Sequence, residues 1–271
     1  MTDWLFSTVR GVRATTQRLI GKRSDADGVA VHDAWLAGRP VRHFQPATAP
    51  AHDRLLYFHG GGFISGSIDS HHGLCSQLAA QTGMELVSAS YRLAPEHPAP
   101  AQLDDALAVA RALAETPGPL LIGGDSAGAW LALRCALAVH ETQPGRFAAA
   151  LLLYPFVDLD AQRDTLLGYA RPAVAVMRAA LGGAYPSLLA LDLAKAPPCA
   201  LLWGAGLDPV APGAQALANG LAAAGVATRV RRHRMLVHGG LNLANRLALI
   251  DRLLAAAATD LRQLAEAEGC G

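Results

Sequence analysis

Pro119-Leu120-Leu121-Ile122-Gly123-Gly124-Asp125-Ser126-Ala127-Gly128-Ala129-Trp130 is the stretch that decides how this chain is read. Its apolar start predicts a strand over 119–123, and the pattern after it predicts a helix over 127–141. Between them stands Ser126, with glycines two positions away on either side. Glycines let the backbone double back, which presents a hydroxyl above the end of a sheet. G-x-S-x-G alone is short enough to arise by chance. Placed between a strand and a helix, it points to a nucleophilic serine.

The same alternation extends outward in both directions. On the N-terminal side, Trp4, Leu5, Val9, Val12 and Leu19 recur at helical spacing, and a polar linker over 21–28 follows. Short strands are expected at 29–36 and 41–45 around a turn at Gly38-Arg39-Pro40. Further strands are expected at 55–58 and 86–90, with a helix through Leu74, Leu78 and Ala79 between them and another over about 101–115. On the C-terminal side strands are expected at 148–153, 199–203 and 226–233, and helices at about 212–224 and 242–266. Such alternation implies an α/β fold, with a mostly parallel sheet carrying helices on both faces. One interruption, 155–197, is punctuated by Pro155, Pro172, Pro186 and Pro197. It is read as an insertion over the carboxyl edge of the sheet, where such folds bind ligands.

With 271 residues, 52% of them apolar, the chain suits one large domain with a substantial core, and a second full domain would be cramped. The formal net charge is only +1. Arg229, Arg231, Arg232 and Arg234 form the densest basic run, read as a solvated strand end, since a nucleic-acid surface needs more positive charge and interleaved aromatics. Cys75, Cys135, Cys199 and Cys270 are far apart and lack metal-ligand spacing, so reduced thiols and no metal site are expected. The first residues include Asp3 and hold no apolar core of leader length, and no segment reaches the roughly 18 apolar residues that span a bilayer. A cytoplasmic protein without membrane insertion is the expectation.

A serine hydroxyl needs a base within hydrogen-bond reach. His238 is the candidate, in the loop between the last strand and last helix and followed by Gly239-Gly240. Asp208, just after the strand expected at 199–203, is placed to fix the imidazole tautomer. Singly, a histidine in a loop and an aspartate before Pro209 are ordinary surface and turn residues. Jointly, Ser126, Asp208 and His238 all follow strands, and so reach one edge of the sheet. His59-Gly60-Gly61-Gly62, also after a strand, offers backbone N–H donors for a developing oxyanion; it lacks the lysine of a phosphate-binding loop and the spacing of a dinucleotide fingerprint.

Five motifs in order make the pattern specific: His59-Gly-Gly-Gly-Phe63, Tyr91-Arg-Leu-Ala-Pro-Glu-His97, Gly124-Asp-Ser-Ala-Gly128, Asp208-Pro209 and His238-Gly239. Over about 54–238 the chain resembles the bacterial hormone-sensitive lipase family of carboxylesterases, with the α/β-hydrolase fold. The resemblance implies that Gly61 and Gly62 form the oxyanion hole with the N–H of Ala127. It also implies a small helical cap from about 1–28 and part of 155–197 on a single domain, and a supporting role for the segment from Tyr91 to His97. Departures are Ala129 and Trp130 where a glycine and a polar residue are usual, Pro212 in place of a second aspartate, and Gly240 in place of an aromatic.

The expected function is hydrolysis of short-chain acyl esters by a serine carboxylesterase through an acyl-enzyme, without metal or organic cofactor. Activity should rise with pH as the His238 base is freed of its proton. An amidase or lactonase, such as an arylformamidase, would use the same residues, and a non-catalytic small-ligand receptor on this fold is the alternative from a different class. The partner is a small acyl ester, with a homodimer through the edge strand or last helix left open. His71 and His72 beside Asp69 read as a polar helix start before a metal site. Asp104 and Asp105 point in different directions on one helix, Trp130 and Trp203 read as core or pocket wall, and Cys75 and Cys135 as buried packing.

Overall fold

The computed structural model describes residues 2–20, 25–50, 52–159, 170–181 and 185–269. Residues 21–24 of the expected linker, residues 160–169 and 182–184 of the expected cap insertion, and Cys270 lie outside the described residues.

Eight strands form one sheet: β1 (Val29–Leu36), β2 (Arg39–Pro46), β3 (Arg54–Phe58), β4 (Glu85–Ala89), β5 (Leu120–Asp125), β6 (Ala150–Leu153), β7 (Cys199–Gly204) and β8 (Thr228–His233). Their spatial order is β1-β2-β4-β3-β5-β6-β7-β8. The β1–β2 and β2–β4 pairs are antiparallel and every later pair is parallel. Seven α-helices are described: α1 (Thr2–Ile20), α2 (His72–Thr82), α3 (Ala101–Ala114), α4 (Ala127–His140), α5 (Ala170–Leu181), α6 (Ala211–Ala223) and α7 (Ala248–Gly269). Helix α2 packs with α7 and α3 with α4, the two pairs flanking the sheet, while α1 packs on α5.

Strands β3, β5, β6 and β7 are buried almost throughout, as their unbroken apolar runs require when helices cover both faces. From β3 the chain crosses to β4 on one side, then returns past β3 to β5 on the other. The loops leaving β3 and β5 therefore diverge, opening a crevice at the carboxyl ends of these two strands. Phe58 is in register with Gly124, so the residues that follow each strand end side by side.

Two local expectations are corrected. The turn between β1 and β2 is Ala37-Gly38, both at positive φ (48° and 73°), and Arg39 and Pro40 already belong to β2. Two left-handed residues make the tight hairpin whose twist matches the strands. The last helix begins at Ala248, not near 242, because Gly240–Leu243 forms a 3-10 turn and Asn245 takes φ 61°. Arg229, Arg231 and Arg232 of the basic run lie on edge strand β8, where Arg229 and Arg231 pair with Asp260 on α7. A charged edge discourages sheet extension by another chain.

Candidate active site

Ser126 stands at the junction of β5 and α4 with φ 53° and ψ −117°. That backbone conformation costs on the order of 1–3 kcal/mol and persists only where the surroundings impose it. Here the Ser126 N–H donates to Leu153 O (2.9 Å), and its carbonyl accepts from Ala129 and Phe156 N–H (3.1 Å each). The flanking glycines permit the sharp turn by contact distance: a Cβ on Gly128 would lie 1.9 Å from Phe58 O, and one on Gly124 2.4 Å from the Gly128 carbonyl carbon. The side chain is left 8% exposed, at the floor of the crevice.

The structure brings Ser126, His238 and Asp208 together across 112 and 30 residues of sequence. Ser126 Oγ lies 2.9 Å from His238 Nε2, and His238 Nδ1 lies 3.0 Å from Asp208 Oδ1. That order allows Nδ1 to carry a proton held by the carboxylate while Nε2 accepts one from the hydroxyl. Asp208 is fully buried beyond the end of β7, and its Oδ1 also accepts from Val210 N–H (3.0 Å). Its Oδ2 has no hydrogen-bond partner among the described residues. His238 packs on the Tyr154 ring at 4.9 Å and precedes Gly239 at φ 74°.

The glycine loop meets the serine turn through Asp125. Its Oδ1 accepts from Gly60 N–H (2.8 Å) and from Tyr57 O–H (2.9 Å), and its Oδ2 lies 3.3 Å from His71 Nε2. Burial acts to raise the Asp125 pKa, but His71 and these donors outweigh it and hold the carboxyl below its ordinary value. Gly61 and Gly62 follow at φ 118° and 63°. No described residue accepts a hydrogen bond from the N–H of Gly61, Gly62 or Ala127. Beneath the loop, His59 donates from Nδ1 to Gly60 O (2.8 Å) and stacks on Tyr91 at 4.3 Å. Burial, reinforced by like charge at His71, lowers the His59 pKa to about 3, so this imidazole is neutral. Tyr91 O–H donates to His59 O (2.7 Å), which makes the Tyr91 motif a brace beneath the loop.

Sequence reasoning missed the joint role of Asp125, His71 and Tyr57. His71 and His72 do stand at a helix start, His71 at the N-cap of α2 and His72 as its first residue, but both are buried. His71 faces Asp125 and Ser70, while His72 contacts Arg42 and Asp25. No metal-binding cluster occurs among the described residues. Asp105 forms ion pairs with Arg39 and Arg92. Cys75, Cys135 and Cys199 are buried free thiols, and burial pushes each pKa up. No described helix is long and apolar enough to cross a membrane.

Beside the loop lies a packed aromatic group. Phe63 stacks on Tyr185 at 4.4 Å and meets Trp130 and Phe156 edge-on. Trp130, expected as core or pocket wall, is fully buried and donates from its indole to Pro186 O (3.1 Å), while Trp203 is core. From α5, Met177 covers the loop closely, since a Cβ on Gly62 would fall 2.6 Å from its sulfur.

Residues 55–242 match a protein family described as having the alpha/beta hydrolase fold. The chain is 31% identical over 272 residues to the carboxylic ester hydrolase LipN of Mycobacterium tuberculosis, covering 86% of this chain and 69% of that protein. It is 36% identical over 144 residues to the ethyl acetate hydrolase of Pseudomonas putida, covering 48% of this chain and 44% of that one. Among solved structures, an esterase from the bacterial hormone-sensitive lipase family superposes with a TM-score of 0.83 at 25% identity, covering 97% of both chains.

Proposed function

The chain belongs to the hormone-sensitive lipase family of carboxylesterases within the α/β-hydrolase superfamily, and from that premise we propose that it hydrolyses short-chain acyl esters with Ser126, His238 and Asp208 as its catalytic triad. Ser126 Oγ attacks the ester carbonyl as His238 Nε2 takes its proton. The N–H groups of Gly61, Gly62 and Ala127 stabilise the resulting oxyanion, which gives them most leverage where charge develops. His238 then returns the proton to the leaving alcohol, and the acyl group stays on Ser126. A water molecule, deprotonated by the same imidazole, attacks the acyl-enzyme. As the second tetrahedral species collapses, the bond to Ser126 Oγ breaks, His238 returns the proton to that oxygen, and the acid is freed. Asp208 remains ionised throughout, holding Nδ1–H and stabilising the imidazolium. No metal or organic cofactor enters these steps.

The observation that carries this assignment is the relay of 2.9 and 3.0 Å from Ser126 through His238 to Asp208. It also argues against a receptor, which has no use for a base poised on the hydroxyl. Two features support short acyl groups: Met177 sits against Gly62, and Phe63, Trp130, Phe156 and Tyr185 fill the space beside the loop. The name of the Pseudomonas putida relative points the same way.

The test is a p-nitrophenyl ester series from acetate to decanoate, run beside N-formyl aryl amides and lactones. Turnover should be greatest at acetate to butyrate and fall by several orders of magnitude in S126A, which should also lose labelling by a fluorophosphonate. Preference for decanoate would sink the short-chain assignment, preference for the amides would move it to the amidase class, and undiminished turnover in S126A would remove Ser126 as nucleophile.

A further inference from the structure

The glycine loop is anchored in front by Asp125, but Gly61 and Gly62 are intrinsically free to move, so something must also fix its far side. There the carbonyl of Gly61 accepts from Ile64 and Ser65 N–H (3.2 and 2.9 Å), and Phe63 O accepts from Ala94 N–H (2.9 Å). The carbonyls of Ile64 and Ala94 are both taken by one guanidinium that comes from the cap. Arg13 on α1 donates from Nε to Ile64 O (2.7 Å) and from Nη2 to Ala94 O (3.0 Å). The same group pairs in a two-pronged fashion with Glu96, from Nη1 and Nη2 at 2.7 Å each.

We propose that Arg13 is a positioning residue for the oxyanion site: it clamps the cap helix α1 to the back of the glycine loop, so that seating of the cap and the shape of the anion site are set together. The proposal rests on the triad and oxyanion roles given above. It joins two contacts made by the cap, since α1 packs on α5 and Met177 of α5 lies against Gly62. The cap thus touches the loop at Gly62 and behind it at Ile64. Only a planar fork reaches two carbonyls and a carboxylate at once; a lysine is a point charge that keeps the ion pair and loses the clamp. The Arg13 and Glu96 side chains are 28% and 39% exposed, so the pair itself adds little to global stability. Catalysis is far more sensitive, because displacing a donor by about 1 Å can cost a hundredfold in rate.

The experiment compares the wild type with R13A, R13K and the control R10A, which alters an exposed arginine of the same helix. Active sites are titrated with a fluorophosphonate, p-nitrophenyl acetate supplies kcat and KM, and a trifluoromethyl ketone, which forms a tetrahedral adduct on the serine, reports on the oxyanion site. R13A should lose about tenfold in kcat per titrated site with little change in KM, and ketone affinity should weaken by about the same factor. R13K should fall between R13A and wild type, and R10A should match wild type. Unchanged kcat per site and ketone affinity in R13A would overturn the proposal, as would a loss confined to the number of titratable sites, which means folding alone. Failure of the underlying triad is seen separately, as wild-type turnover that survives S126A.

Discussion

The Ser126 side of the site is held by buried hydrogen-bonding groups from several elements, whereas the His238 side depends on one carboxylate oxygen, the Tyr154 ring and a short loop followed by glycines. Asp125 engages Tyr57 of β3, the Gly60 amide and His71 beside α2, and the backbone of Ser126 is bound on both sides of its strained angle. Asp208 holds His238 through Oδ1 alone, while Oδ2 is without a partner among the described residues. Two carboxylates, both almost fully buried, thus have different surroundings: Asp125 ties the glycine loop to Tyr57 and His71, and Asp208 holds the His238 imidazole, which in the proposed mechanism exchanges protons. In the proposed mechanism the more heavily braced half is the one where the oxyanion would form, in keeping with the large share of rate acceleration that fixed donors supply.

The largest test of this contrast sets D208N against D125N. In D208N the Val210 N–H keeps the amide oxygen at the Oδ1 position, so His238 Nδ1 retains an acceptor but loses the buried charge that would stabilise the imidazolium. The kcat should fall by about 10³–10⁴-fold, the upper end being the scale known for a triad carboxylate replaced by its amide. The melting temperature of D208N should move little. D125N should do the reverse: a smaller loss in kcat, about ten- to a hundredfold, with a destabilisation of about 1–3 kcal/mol from weakened buried hydrogen bonds. Rates with p-nitrophenyl acetate and urea unfolding of the two variants decide it. Equal losses in both measurements would erase the distinction between the halves.

A second test uses pH. The folded pKa of His59 is depressed to about 3, well below that of an exposed histidine near 6.5. Between these values the unfolded chain binds a proton that the native chain refuses, so stability is full above about pH 6.5 and declines as pH falls. Asp125, Glu85 and Asp105 also have lowered pKa values, so their contributions are present above about pH 4 and are lost only below it. The window from pH 6.5 to 4 therefore isolates histidine. Urea unfolding across it should show stability falling with acid, and H59N should flatten that slope. An unchanged slope in H59N would place the acid sensitivity elsewhere than under the glycine loop.

How much of this was legible beforehand follows from what each feature depends on. Ser126, Asp208 and His238 could be placed at one edge because each follows a strand, and strand ends can be read from local pattern. The glycine loop was legible for the same reason. The ties between them were not, since Gly60 meets Asp125 only because β3 and β5 are neighbours with Phe58 in register with Gly124. That adjacency comes from a crossover, and no local pattern encodes it. Arg13 lies 83 residues from Glu96 and looked like one arginine among several on an amphipathic helix. His71 read only as part of a polar helix start because its partner is 54 positions away. A faint signal did exist: two adjacent histidines are unusual at the start of an otherwise apolar helix, and that asks for buried partners.

The smallest expected effect concerns Gly240, where the family resemblance leads one to expect an aromatic. A Cβ there would meet Leu236 Cδ1 and Val237 Cγ2 at 3.3 Å, both methyl tips able to give by a few tenths of an ångström. Unlike Gly239, Gly240 is not among the residues at positive φ. G240A should therefore gain from a less flexible unfolded chain nearly what it loses in crowding, leaving stability within about 1 kcal/mol and kcat/KM within about threefold. The Gly128 position offers no such latitude, because the atom in the way is the Phe58 carbonyl oxygen, fixed in the central sheet. Measuring kcat/KM for G240A on p-nitrophenyl acetate tests whether the His238 loop is the tolerant half. A loss beyond tenfold would mean that the glycine sets the base's position as strictly as the serine turn sets the nucleophile's, and the contrast between the two halves would not hold.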